Sequence, residues 1–105
     1  INTCCGEGFG LTNIEHGLLG KPQVVSGVPA IKETLGKHAF VIEPTGQTMM
    51  SNFESHGGEI YHFNPRDFAN ALYTIYMYKL SCNGLSNHIR ENYNWDKTIL
   101  CLDHY

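Results

Sequence analysis

Two carboxylates, Glu7 and Glu15, stand with seven residues between them, and the intervening segment opens Gly8-Phe9-Gly10-Leu11-Thr12. A glycine turn that feeds a helix leaves backbone N–H groups unpaired, and the helix dipole adds a field that favours an anion. A diphosphate is expected against Gly10, Leu11 and Thr12. Glu15 falls about one turn into the helix, roughly 6 Å from its start at ~1.5 Å per residue. That distance suits a carboxylate accepting hydrogen bonds from the vicinal hydroxyls of a ribose beside the phosphates. Glu7 precedes the turn, where a sugar would lie against Gly8 and Phe9. A carboxylate there binds sugar hydroxyls or stabilises positive charge developing at an anomeric carbon. The competing reading of each glutamate is an ordinary solvated carboxylate. For Thr12 it is a hydroxyl that only caps the helix.

Other reactive side chains give weaker signals. The six histidines, at 16, 38, 56, 62, 88 and 104, include no pair four residues apart, and no D-x-D occurs to hold a divalent ion on a diphosphate, so no metal is expected. His16 follows Glu15 and could approach the same site, although a surface helix position accounts for it equally simply. Glu33 is open between a ligand contact and surface charge. Cys4, Cys5, Cys82 and Cys101 form no C-x-x-C pair; reduced, mostly buried thiols are expected, and with them a cytoplasmic location. Tyr73, Tyr76 and Tyr78 are expected on a helix packing partly on a sheet rather than as a sugar-stacking platform. Trp95 is expected to anchor the last helix in the core.

The elements that must position these groups follow from the pattern. Residues 1–5 are expected to end a buried strand, and Leu11 to Leu19 to form a short helix with Leu11, Ile14 and Leu18 on one face, stopped by Gly20. Pro22–Ser26 and His38–Ile42 suit short strands, with a helical turn or two from Ala30 to Leu35 between them. Residues 45–59 suit an inserted loop or loose hairpin, with Met49-Met50 as either lid or plain loop. Asn64-Pro65 is a strong helix start, and Phe68, Leu72, Ile75 and Lys79 follow at helical spacing. Asn83-Gly84 is expected to break that helix, with two more over Leu85–Asn92 and Trp95–Tyr105, the last capped by Asn94. Strand and helix alternate as in half of a doubly wound α/β domain.

Composition bounds these readings. The 105 residues suffice for one small domain, spanning 1–105, with 42% hydrophobic and 16% charged residues. A formal charge of -3 gives no basic excess for a phosphate polymer, which argues against nucleic acid as a partner. No apolar run reaches the ~20 residues of a membrane span, so any membrane association would be peripheral. The opening at Ile1 suggests a start in mid-pattern, part of a longer polypeptide.

The E-x7-E pattern with its internal Gly-Phe-Gly-Leu resembles the signature of group 1 glycosyltransferases of the GT-B fold. Gly20-Lys21-Pro22-Gln23-Val24-Val25-Ser26 is similar to the family's G-x-P-V-V-x-S strand. Ile31-Lys32-Glu33 falls where the family ends its G-G-x-x-E, Phe40-Val41-Ile42-Glu43-Pro44 resembles L-L-V-x-P, and Asn94-Trp95-Asp96 resembles F-S-W-E. Pro29-Ala30 stands where the family has Gly-Gly, which puts its backbone contacts to the donor in doubt here. The resemblance implies the C-terminal half of a Rossmann-like nucleotide-binding domain: a donor site for a UDP- or GDP-sugar, transfer with retention and no metal. The sugar acceptor would be held by a separate N-terminal domain, and an open sheet edge at residues 1–5 would favour a homodimer. The alternatives are a non-catalytic nucleotide-binding or assembly module and a nucleotide-sugar epimerase of the same architecture.

Overall fold

The computed structural model describes residues 1–49 and 58–104. Its centre is a short parallel sheet in which β1 (Val24–Ser26) pairs with β2 (Phe40–Ile42), Val25 opposite Val41. On the other edge of β1 lies Asn2, in a lone parallel bridge to Val25. Its N–H donates to the Val24 carbonyl and its carbonyl accepts from Ser26, each at 2.9 Å. The strand expected over residues 1–5 is thus reduced to one bridge, with Ile1, Thr3 and Cys5 exposed. The side chain of Asn2 is the cause: its Oδ1 accepts from Cys4 N–H at 3.0 Å, a local turn that competes with the ladder. Nor is this edge fully open, because Tyr61 N–H donates to the Cys5 carbonyl at 3.1 Å.

Helices cover both sides of the sheet. α1 (Leu11–Gly17) leads into β1, and α2 (Pro29–Leu35) with a 3-10 turn (Gly36–His38) links β1 to β2. Val25 packs with Ile14, Val28, Ile31 and Leu35, and with Leu85 and Ile89 of α4 (Asn83–Asn92). Alternation along β1 sends Val24 to the opposite face, against Ile42 and Phe68 of α3 (Pro65–Tyr78). Val24 and Val25 are therefore fully buried, and Phe40 is half-buried. The architecture is mixed α/β. Two paired parallel strands and one bridge do not by themselves amount to a doubly wound sheet.

The buried stripe of α1 is Asn13, Ile14 and Gly17, not Leu11, Ile14 and Leu18. Leu11 and Leu18 are exposed because α4 docks over Gly17, where a Cβ would collide with Ile89. The segment expected as a loop or loose hairpin holds β3 (Gly46–Met49), which pairs antiparallel with β4 (Glu59–His62) beginning at its end, with Thr48 Oγ1 2.7 Å from His62 Nε2. Met49 is exposed; Met50 lies outside the described residues.

Asn64 caps α3 as expected, accepting from Arg66 N–H at 3.0 Å. The helix ends at Lys79, in the left-handed conformation with φ 47°. Because α3 has already closed there, Asn83 and Gly84 open α4 instead of breaking its predecessor. Asn94 caps α5 (Trp95–Asp103) by accepting from Lys97 N–H at 2.8 Å. Trp95 is nevertheless 80% exposed, not a core anchor, and Tyr73, Tyr76 and Tyr78 are exposed too. Phe68, Ala71 and Ile75 alone fill the sheet-facing stripe of α3, so the tyrosines point away. Among the described residues no helix is long and apolar enough to cross a membrane.

Candidate functional site

Gly10 sets the geometry between the two glutamates. It caps α1 with φ 86° and ψ 48°, a conformation that disfavours any L side chain, and a Cβ there would lie 2.7 Å from Ile31 Cδ1. Its carbonyl accepts from Asn13 and Ile14 N–H at 3.0 and 3.1 Å. The N–H groups of Leu11 and Thr12 precede the first helical bond and have no carbonyl of the helix to reach.

Beside this turn is a cleft of about 560 Å³. Glu7, Thr12 and His16 line it together with Cys4, Asn2, Asn13 and Gln23. Three amides form its floor. Asn2 Nδ2 donates to Asn13 Oδ1 at 2.7 Å, Asn13 Nδ2 donates to Gln23 Oε1 at 2.7 Å, and Gln23 Nε2 returns a bond to the Asn13 carbonyl at 2.8 Å. Asn13 and Gln23 are buried. The chain of bonds ties the residue-2 bridge, α1 and the entry to β1 into one rigid unit, and each amide keeps an N–H beyond those used.

The electrostatics of the cleft are those of a carboxylate. Burial, and after it the negative charge of Glu7, push the Cys4 thiol up from its ordinary value, so Cys4 is a neutral wall of the cleft and not an activated nucleophile. Glu7 Oε1 also accepts from Gly8 N–H at 2.9 Å. Among the described residues no lysine or arginine lines the cleft, and His16 is the one side chain there able to carry positive charge.

Of the residues singled out in the sequence, the cleft brings together Glu7 and Thr12 and, of the weaker candidates, His16 and Cys4. Gly8, Phe9, Gly10, Leu11 and Glu15 are not in its lining. Phe9 turns away to meet Tyr93 edge-on, ring centroids 5.7 Å apart, and Glu15 is exposed on the outer side of α1. Glu33 is exposed on α2. All four cysteines are free; Cys4 and Cys82 are half-buried and Cys5 and Cys101 exposed, so the thiols are less buried than their type suggested. Among the described residues no three His, Cys, Asp or Glu side chains gather as metal ligands would.

Asn2, Asn13 and Gln23 were missed. The available signal was positional: Asn13 sits four residues before Gly17 on the face that Ile14 shares, and Gln23 directly precedes the buried Val24-Val25. Polar residues at buried positions must find partners.

No family model, curated protein or solved structure matches this chain.

Proposed function

We propose that this chain is the donor-binding part of a nucleotide-sugar-dependent glycosyltransferase, built as the C-terminal half of a Rossmann-like domain and working in the cytoplasm. The observation that carries the reading is the meeting of Glu7 and Thr12 in one cleft beside the left-handed Gly10 turn. Ligands of parallel α/β sheets bind where strands give way to helices. Glu7 would accept hydrogen bonds from the hydroxyls of the donor sugar and stabilise charge at its anomeric carbon, with Gly8 and Phe9 bordering the ring. Leu11 and Thr12 N–H and the Thr12 hydroxyl would face the diphosphate, and Glu15, exposed on α1 outside the cleft lining, the ribose. The donor would be a UDP- or GDP-hexose, bound without a metal ion, and the acceptor would come from a partner domain.

Titration calorimetry of the chain with UDP, GDP and their hexose conjugates tests this. Glu15→Ala should weaken every nucleotide by about 1.5–3 kcal/mol, the range for hydrogen bonds to a charged group. Glu7→Gln should weaken the sugar conjugates more than the bare nucleotides, and a chelator should change neither. Affinities untouched by both substitutions would remove the donor site from this cleft.

A further inference from the structure

On the far side of the glycine turn lies a titratable cluster that donor binding does not use. The rings of His38, at the end of the 3-10 turn, and His88, on α4, stack with centroids 4.4 Å apart and 27° between planes. Both nitrogens of His88 have partners that fix its form. Nε2 lies 2.9 Å from the Thr34 carbonyl, which can only accept, so Nε2 carries a proton. Nδ1 lies 3.2 Å from Asn92 Nδ2. The orientation of that amide is pinned as well: Nδ2 donates to the His88 carbonyl at 2.9 Å, and Oδ1 accepts from Lys97 Nζ at 3.1 Å. Nδ1 must therefore accept, and the neutral Nε2–H tautomer is the one form of His88 that satisfies every partner.

The cluster continues to the candidate site. Tyr93 OH donates to the same Thr34 carbonyl at 3.2 Å, and its ring meets His88 edge-on at 5.9 Å. The same ring meets Phe9 edge-on, at 5.7 Å. His38, His88, Tyr93 and Phe9 thus form a row of rings from the 3-10 turn to the Glu7–Gly10 segment.

We propose that the stacked His38–His88 pair is an acid-sensitive latch, closed while both rings are neutral, that holds α4 on α2 and, through Tyr93, holds Phe9 and the glycine turn in place. A second proton on His88 would set an N–H against the Asn92 amide, which also donates, and a proton on either ring would face the other ring at stacking distance. The charged surroundings reinforce the direction at His38. Burial, then His88, then Lys37 on its own turn hold its imidazole below the ordinary value. On α2, Glu33 acts on Tyr93 rather than on the stack, and the Tyr93 hydroxyl is pushed up by burial and then by that charge. The strand β2 offers only Phe40, Val41 and Ile42, and Arg90 and Glu91 of α4 are exposed. Because the folded chain binds protons at His38 less readily than the unfolded chain, the latch is closed above about pH 6.5, the ordinary histidine value. It weakens as pH falls from there through the lower folded value. The inference is independent of what the cleft binds.

Solution NMR of the 105-residue chain between about pH 8 and about pH 5 tests it directly. The ring resonances of Tyr93 and Phe9 should move together with those of His38, at one midpoint below the ordinary histidine value. In His88→Gln the amide can still donate to Thr34 and has nothing to protonate, so the movement of Tyr93 and Phe9 should shrink several-fold. Two results overturn the latch. One is a wild-type titration in which His38 protonates while Tyr93 and Phe9 stay still, a readout that needs no variant. The other is a full-sized movement surviving in folded His88→Gln.

Discussion

Replacing Asn13 by leucine should destabilise the chain by about 2–4 kcal/mol, although leucine has nearly the same size. The magnitude follows from which groups are stranded. Asn13 Nδ2 is the donor to Gln23 Oε1, and Gln23 is 3% exposed; without it that oxygen is buried and unpaired, at about 1–3 kcal/mol. Asn2 Nδ2 loses its acceptor too, but Asn2 is only half-buried and water can take the bond, so this loss is nearer ~1 kcal/mol. Gln23→Leu alone should be comparably costly, because it strands Asn13 Nδ2. The double variant removes donor and acceptor together. Its cost should fall short of the sum of the two singles by about 1–2 kcal/mol, the coupling expected of groups sharing one network. Urea unfolding of the four chains with an unchanged slope measures the cycle. Strict additivity would refute the network as a unit, and a small cost for Asn13→Leu would mean that water reaches Gln23.

Gly10→Ala should destabilise by about 2–5 kcal/mol, from ~1–2 for the left-handed backbone and ~1–3 for crowding Ile31; denaturant unfolding measures it, and a cost below the backbone share alone would contradict the turn. Glu7→Gln should speed alkylation of Cys4 by about two- to threefold near neutral pH, since the negative charge of Glu7 is the second cause, after burial, of the raised thiol value; mass spectrometry of Cys4 labelling reads this, and an unchanged rate would take Glu7 away from Cys4. Nucleoside-diphosphate affinity of the chain alone should rise, not fall, with added salt, as calorimetry at several ionic strengths would record; a fall would reveal a cation acting on the site.

The local chemistry of the fold was legible where one residue type decides the matter. Asn64-Pro65 and Asn94 start helices because their side chains satisfy first-turn N–H groups, and a single residue suffices to say so. The glycine turn was legible for the same reason. What stayed hidden depends on which neighbour arrives. Nothing in Trp95 itself says that α5 buries none of its residues. Leu11 and Leu18 matched a helical period, yet the helix turned its Asn13–Gly17 side inward because Gly17 alone lets α4 approach. The strand expected at residues 1–5 failed on a side-chain bond from Asn2 that no hydrophobic pattern encodes. In the site, the carboxylate and hydroxyl walls were visible as Glu7 and Thr12, while the amide floor required knowing that residues 2, 13 and 23 converge.

In the proposed reading, the charge of the cleft decides which part of a nucleotide sugar it would hold. A phosphate charge at ~6 Å from Glu7 is repelled by about 0.7 kcal/mol in water-like surroundings and about 3 kcal/mol at a partly shielded surface. The end of a short helix returns only ~0.3–1 kcal/mol, and among the described residues His16 is the sole compensating side chain in the lining. The diphosphate is therefore the least suited portion of the donor for this cleft taken alone. A neutral ring of hydroxyls suits it better, because Glu7 accepts, Thr12 both donates and accepts, and the three amides carry unused N–H groups. In the proposed reading the cations that neutralise the diphosphate belong to another surface facing this one. There the chain would contribute shape, sugar contacts, the ribose carboxylate and the Leu11 and Thr12 N–H groups at the diphosphate. Such a division makes donor binding strong only when the two surfaces meet, so the encounter with the partner domain, rather than the cleft by itself, would set the affinity.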